Sequence, residues 1–311
     1  MNELKIISIN ISPKKGTAKK PVHQALFTSK GILEDAHAGT VNRQVSMLAI
    51  ESIHKFEKVL GRPIVPGEFA ENITTEGMEI YKTKPLDKFV GCNIEFEVTQ
   101  IGKKCHGDSC AIFNEVGSCI MPREGIFVRV LKEGKLAESN TMLYHPKVFN
   151  CCVITLSDRA SVNEYEDESG KLINEMLQQY FISNQRRYKI QTNLISDDSQ
   201  QLEKIIQTQI SNKTDIIITT GGTGIGKRDI TIETLKPLLQ KEMPGIMEFI
   251  RMKYGAEKPN ALLSRSVAGV SNESLIYAIP GSPKAVKEYM TEILKSLEHT
   301  IYMLHGLDIH I

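Results

Sequence analysis

Short apolar runs dominate the first half of the chain: KIISIN, RQVSMLAI, NIEFEVTQI and IFVRVLKEG, set apart by turn formers such as Pro13, Gly39, Pro66, Gly77 and Gly91. Many short strands at this spacing predict a β-rich, barrel-like domain. Within it, LAIESIHKFEKVL repeats its apolar positions at helical spacing, predicting one helix over about 48–60. Beyond residue 150 the rhythm changes. NCCVITLS is a buried-strand run, DESGKLINEMLQQYF (167–181) a helix, YKIQTNLIS a strand, SQQLEKIIQTQISN a helix, and DIIITTGGTG a strand running into a glycine-rich turn. Such alternation argues for a parallel sheet covered by helices. The chain therefore reads as α/β overall, with a β-rich barrel-like domain over 1–138, a weakly periodic linker over 139–149, and a second domain over 150–311.

Composition changes this picture little. The 311 residues suffice for two cores, and 41% hydrophobic with 24% charged residues are globular values. A formal net charge of +1 supplies no field that would favour nucleic acid or an anionic membrane. No apolar run approaches the ~18 residues of a spanning helix. The opening MNELKIISINIS alternates like a strand and carries no export pattern. A cytoplasmic protein without nucleic-acid or membrane partners is expected, and its six cysteines then read as reduced thiols. Lys14, Lys15, Lys19 and Lys20 form the one dense basic run, read as a solvated turn.

Chemistry concentrates in the second half, in four segments near the carboxyl ends of expected strands, where open α/β sheets bind ligands. They are Ser157-Asp158-Arg159, the pair Asp197-Asp198, the run Thr219 to Gly224 continuing to Lys227-Arg228-Asp229, and Pro280-Gly281-Ser282-Pro283-Lys284. Glycines let backbone N–H groups approach phosphate oxygens, and Gly281-Ser282 opens a helix whose N-terminus offers a second cradle. Carboxylates beside such cradles suit Mg²⁺-assisted phosphoryl or nucleotidyl transfer. Gly221 to Lys227 imitates a Walker A loop, but Arg228 stands where that motif needs a magnesium-binding hydroxyl. Asp197 and Asp229 could alternatively be helix caps, with Asp198 taking the functional role at its site.

The segments SDRAS, TTGGTGIGKRDIT, KEMPG, LSRSVAG and IPGSPKAVKE, in this order, resemble the molybdopterin adenylyltransferase (Mog/MoaB-like) family over about 149–311. The resemblance implies a three-layer α/β/α molybdopterin-binding domain, often trimeric, that transfers AMP from ATP to molybdopterin with magnesium. It further implies Asp229 as the catalytic aspartate associated with Mg-ATP, and Asp197 as a holder of pterin or metal. Gly221, Gly222, Thr223 and Gly224, with Thr220 before them, would cradle phosphate. Gly281, Ser282 and Lys284 would lie near a nucleotide or pterin phosphate, and Ser157, Asp158 and Arg159 would begin the site. Ile232 stands where many members have proline.

In the first half, Cys105, His106, Cys110 and Cys119 form a constellation without the paired C-x-x-C of a structural zinc site. A metal staple, a thiol activated by Lys103, Lys104, His106 or Arg123, and inert buried thiols are all compatible with it. GILEDAHAG, RQVSMLAI, PGEFAENITTEG and REGIFVRVLKEG resemble the MOSC domain over about 1–138. That resemblance implies a β-barrel that binds molybdenum cofactor or carries sulfur, with Cys110 fitting its cysteine best, and pyridoxal phosphate binding only at the wider family level. His37, Arg43, Glu71 and Asn72 fall in its recurring segments. Together the halves imply molybdenum-cofactor biosynthesis, with molybdate-insertion and sulfur-donor proteins as partners. The rival readings are a non-catalytic molybdopterin carrier, a MOSC-dependent reductase, and a nucleotide hydrolase on the same α/β fold.

Overall fold

The alternating run ELKIISINI folds as β1 (Glu3–Ile11), burying Leu4, Ile6 and Ile9. A computed structural model describes residues 3–14, 17–103, 119–161, 164 and 166–307. They divide into two compact units, the first running to Lys147 and the second comprising Val148–Gly306.

In the first unit, β1 is followed by β2 (Lys20–Val22), β3 (Gln24–Thr28), β4 (Gly31–Ile32), β5 (Val45–Ala49) and β6 (Ile73–Glu76). Then come β7 (Lys88–Gly91), β8 (Ile94–Ile101), β9 (Ile126–Lys132), β10 (Gly134–Ala137) and β11 (Thr141–His145). Seven of these close a ring in the order β1-β6-β5-β9-β8-β7-β11, with β11 returning to β1 through Glu3↔Leu143 and Leu4↔Met142. Closure removes free sheet edges, and the interior is filled by side chains including Phe27, Phe89 and Phe96. Residues 139–149, expected to be a linker, instead supply β11, the strand that seals the barrel, and the start of β12. Helix α1 (Ile50–Leu60) forms where its periodicity predicts, and stops at Gly61, whose left-handed φ of 75° returns its N–H to the Glu57 carbonyl. Its Ile53 packs with Phe69, Phe127 and Met121, the last from the short α2 (Met121–Glu124).

Lys19 corrects the reading of a solvated basic turn. Its ammonium is buried, 1% exposed, and donates to both oxygens of the fully buried Asp35 at 2.8 and 2.6 Å. Lys14 and Lys20 are exposed, as expected.

The second unit runs β12 (Val148–Leu156), α3 (Asp158–Ser161), α4 (Glu168–Ser183), β13 (Arg187–Ile195), α5 (Ser199–Ser211), β14 (Ile216–Thr220) and α6 (Thr231–Leu235). It continues through β15 (Lys241–Glu242), α7 (Pro244–Gly255), β16 (Val267–Ser271), β17 (Ser274–Ile279) and α8 (Pro283–Leu304). The sheet order is β13-β12-β14-β17-β16-β15; the first four strands are parallel, and β16 and β15 add on antiparallel. β14 and β17 are buried along their whole length, as strands covered on both faces must be. One face of the sheet, through Cys152, Ile154 and Ile217, packs on Leu202 and Ile206 of α5 and Leu235 of α6. From the other face Phe149 stacks on Phe181 of α4. β12 connects outward to β13, and the chain then crosses back to β14 on the other side of β12. That reversal opens a crevice at the carboxyl ends of β12 and β14, the usual ligand position of such sheets.

Candidate functional site

A cleft of about 780 Å³ occupies that crevice, within the range of small-molecule sites. Its floor is two abutting glycine turns. β14 ends in Thr220, whose hydroxyl donates to the Pro280 carbonyl at 2.8 Å, and Gly221 donates its N–H to Ile279 O at 3.1 Å. Gly221 lies at φ +104° and Gly222 at φ +60°, backbone that side chains rarely adopt. A Cβ on Gly281 would sit 3.1 Å from the Gly221 Cα, so the two turns touch backbone to backbone. With its own N–H engaged, Gly221 shapes the turn and leaves anion contact to the residues after it. The loop returns through Thr231, whose hydroxyl donates to Gly221 O at 2.8 Å and whose N–H donates to Gly222 O at 3.1 Å.

Asp229 sits at the end of this loop and lines the cleft. Its Oδ2 accepts the Gly226 N–H at 2.7 Å, closing a tight turn over 226–229. Arg265 pins the loop from outside: its Nε donates to Gly224 O at 2.7 Å, its backbone N–H donates to Thr223 O at 3.0 Å, and its guanidinium pairs with Glu233.

The acidic pair after β13 divides its roles. Asp198 is the N-cap of α5, accepting the Gln200 and Gln201 N–H groups at 2.9 and 3.0 Å. Asp197 lines the cleft. Burial, and then the Asp158 carboxylate, push its carboxyl above the usual aspartate range. Asp158 is shifted the opposite way, held low by the Arg228 guanidinium and by the Asp197 N–H, which its Oδ1 accepts at 3.0 Å.

Ser157, Arg159, Thr223 and Gly224 line the cleft as well, as do Gly281 and Ser282; the Ser282 hydroxyl also caps α8 at Ala285 N, 3.4 Å away. Two expected contributors lie outside the lining. Thr220 is fully buried and clips the two turns together, and Lys284, on the first turn of α8, faces solvent. Sequence reasoning missed Asp167 and Ser169. Asp167 caps α4 at Gly170 N (2.8 Å) and accepts the Thr155 hydroxyl at 2.7 Å, while Ser169 donates to the Gly281 carbonyl at 2.7 Å. A local signal was available: Asp167 opens the helical run expected over 167–181, and Asp is a preferred N-cap.

In the barrel, Cys105, His106 and Cys110 lie outside the described residues, and Cys119 is half-buried. Glu71 and Asn72 satisfy buried groups: Glu71 accepts from Gly67 N at 2.6 Å and the Thr74 hydroxyl at 2.9 Å, and Asn72 from Ser46 N at 3.1 Å. His37 Nδ1 lies 3.2 Å from Lys19 Nζ, and Arg43 donates to Gln100 at 2.9 Å while lying over the Phe127 ring. In the second unit, burial pushes the Cys152 thiol up to about 11, which keeps it protonated and unreactive. No helix among the described residues is long and apolar enough to cross a membrane.

A parallel sheet with a glycine-floored, carboxylate-lined cleft at its switch point defines the second unit as an α/β ligand-binding domain. The family described as a probable molybdopterin binding domain matches residues 152–299, and the MOSC domain matches 34–141. The molybdopterin adenylyltransferase of Helicobacter pylori strain J99 is 37% identical over 155 residues, which is 50% of this chain and 86% of that protein. Molybdenum cofactor biosynthesis protein B of Staphylococcus carnosus is 40% identical over 157 residues, 50% of this chain and 89% of that one. Among solved structures, the tungsten cofactor synthesizing protein MoaB from Pyrococcus furiosus is 34% identical, covering 51% of this chain and 98% of its own, with a TM-score of 0.46. The chain belongs to the family of molybdopterin adenylyltransferases and MoaB proteins, joined to a MOSC domain, and its second half is a molybdenum-cofactor biosynthesis domain.

Proposed function

We propose that the second domain transfers AMP from Mg-ATP to the terminal phosphate of molybdopterin. The observation that carries this reading is the placement of Asp197 and Asp229 in one cleft with the two glycine turns. In the transfer, a phosphate oxygen of molybdopterin attacks the α-phosphorus of ATP, a P–O bond forms, and pyrophosphate leaves with the electron pair of the broken bond. The Gly222–Gly224 backbone and the N-terminus of α8 offer the anion contacts. Asp229, held by Gly226 N–H, and Asp197 are the carboxylates for the metal that accompanies ATP.

The donor set fits such a metal. Among the described residues no group of three or more His, Cys, Asp or Glu forms a cage, and magnesium is characteristically held by one or two carboxylates together with substrate phosphates. When bound, it neutralises phosphate charge and stabilises the in-line displacement. The barrel is proposed to bind the maturing cofactor, with Cys110 handling its sulfur; covalent fusion raises the effective concentration of a shared ligand. A homo-oligomer, as a trimer, and contacts with molybdate-insertion and sulfur-donor proteins belong to the same proposal.

The test is AMP transfer by purified full-length protein supplied with Mg-ATP and molybdopterin. Adenylylated product from wild type and none from folded Asp229→Asn is the expected result. Turnover by Asp229→Asn at the wild-type rate would overturn the assignment. Molybdopterin binding without product would make the protein a carrier.

A further inference from the structure

One ion pair crosses the mouth of the cleft. Arg228, on the loop after β14, donates from Nε to Asp158 Oδ2 at 2.9 Å, and its Nη2 reaches the same oxygen. Asp158 Oδ1 meanwhile accepts the Asp197 N–H. One carboxylate thus links the segments that follow β12, β13 and β14. The two side chains are 68% and 43% exposed, so the pair contributes little as a brace. Its chemistry is more informative. The Nε–Nη2 edge of a guanidinium binds carboxylate and phosphate alike, and phosphate takes it with two parallel hydrogen bonds. Here that edge is occupied by a carboxylate in a cleft where, among the described residues, Arg159 is the only other basic one in the lining.

Building on the nucleotide reading above, we propose that Arg228 is a positioning residue that changes partners: Asp158 holds it in the ligand-free protein, and the polyphosphate of the nucleotide takes it over. The exchange replaces one anion by another at the same guanidinium edge. Asp158 keeps its hold on Asp197 through Oδ1, so the β13 end of the site stays in place while Arg228 moves. Because the pair is exposed, releasing Arg228 costs little. Because Asp158 holds the side chain over the cleft beforehand, Arg228 is within reach of an arriving phosphate.

The exchange is tested by equilibrium binding of magnesium tripolyphosphate to the full-length chain as wild type, Arg228→Ala, Arg228→Lys, Asp158→Asn and the Arg228→Ala/Asp158→Asn double variant. Arg228→Ala should weaken binding about tenfold or more, the scale of a charge-assisted bidentate contact. Arg228→Lys should restore only part of the loss, since an ammonium lacks the fork. Asp158→Asn, which frees Arg228, should tighten binding about two- to fivefold, as expected for an exposed pair, and should have no effect once Arg228 is alanine. Wild-type affinity in Arg228→Ala, or an Asp158→Asn effect of equal size in both backgrounds, would refute the exchange. If that happens while wild type still transfers AMP, the exchange alone falls. If wild type neither binds tripolyphosphate nor transfers AMP, the nucleotide reading falls with it.

Discussion

Gly221→Ala probes the turn on which the cleft is built. Gly221 lies at φ +104°, and a Cβ added there would stand 2.3 Å from the carbonyl oxygen of Leu156. Both groups are backbone at the ends of adjacent strands, β14 and β12, so neither can swing aside as a side-chain tip would. Holding alanine at this φ costs about 1–3 kcal/mol, and forcing the strand ends apart costs about 1–3 kcal/mol more. A loss of about 2–6 kcal/mol is a large part of the roughly 5–15 kcal/mol that holds a domain folded. At about 2–4 °C per kcal/mol for a domain of this size, the unfolding midpoint should fall by at least about 4 °C. Gly245→Ala is the internal control: nothing lies within 4 Å of its added Cβ, and it should be neutral or stabilising by up to about 1 kcal/mol. The chain has no tryptophan, so far-UV circular dichroism should follow unfolding, with hydrogen exchange assigning the loss to residues 148–306. A midpoint for Gly221→Ala equal to that of Gly245→Ala would refute the close approach of the two strand ends.

The acidic pair separates stability from chemistry: Asp198→Ala should cost about 1 kcal/mol through the lost cap of α5 and leave AMP transfer intact, whereas Asp197→Asn should abolish transfer with little change in midpoint. Unfolding curves and turnover measured side by side would expose any reversal of these roles. In the barrel, burial pushes Glu71 above the usual carboxylate range. From about pH 4.3 up to its raised value the native state keeps a proton that the unfolded chain has released, so stability falls as pH rises through that window. Glu71→Gln cannot titrate, and its stability relative to wild type should therefore climb as pH rises from about 4.3 through that window; a pH-independent difference in denaturation midpoint would contradict this.

What the sequence made legible was whatever local periodicity carries. The apolar-rich, wholly buried β14 and β17 and the helical patterns of α4 and α5 were readable because each pattern is complete within its own segment. β11 was not: of Thr141–His145 only Met142 is fully buried, and the strand exists because β1 and β7, distant in sequence, hold it on both sides. Lys19 failed for the same reason. Nothing near it in sequence announces that Asp35 will be brought against its ammonium in the interior. Site residues followed the same division. The TTGGTG turn declared itself, but Asp197 and Asp198 differ only in that one faces a helix start and the other a cleft, and Asp167 does both. Thr220 and Lys284 are site residues by the family resemblance alone; burial takes the first out of the cleft lining, and the second faces solvent on the first turn of α8.

The charge balance of the cleft bears on what can occupy it. Its lining carries the carboxylates of Asp158, Glu166, Asp167, Glu168, Asp197 and Asp229 against the guanidinium groups of Arg159 and Arg228. Several are already engaged: Asp158 by Arg228 and the Asp197 N–H, Asp167 by Thr155 and Gly170, and Asp229 through one oxygen by Gly226. At Asp197, burial together with the Asp158 carboxylate outweighs the Asp158 backbone N–H and the Arg228 charge, and disfavours the charged form. A free polyphosphate entering here would meet a wall of its own sign, for which two glycine turns and a helix terminus are weak compensation. A polyphosphate carrying a divalent cation reverses that relation, because the cation is attractive both to the phosphates and to Asp197, whose ionisation it favours. Under the proposed adenylyl transfer, the excess of carboxylates that would oppose the nucleotide alone would select its metal complex, with no metal cage of the cleft's own required.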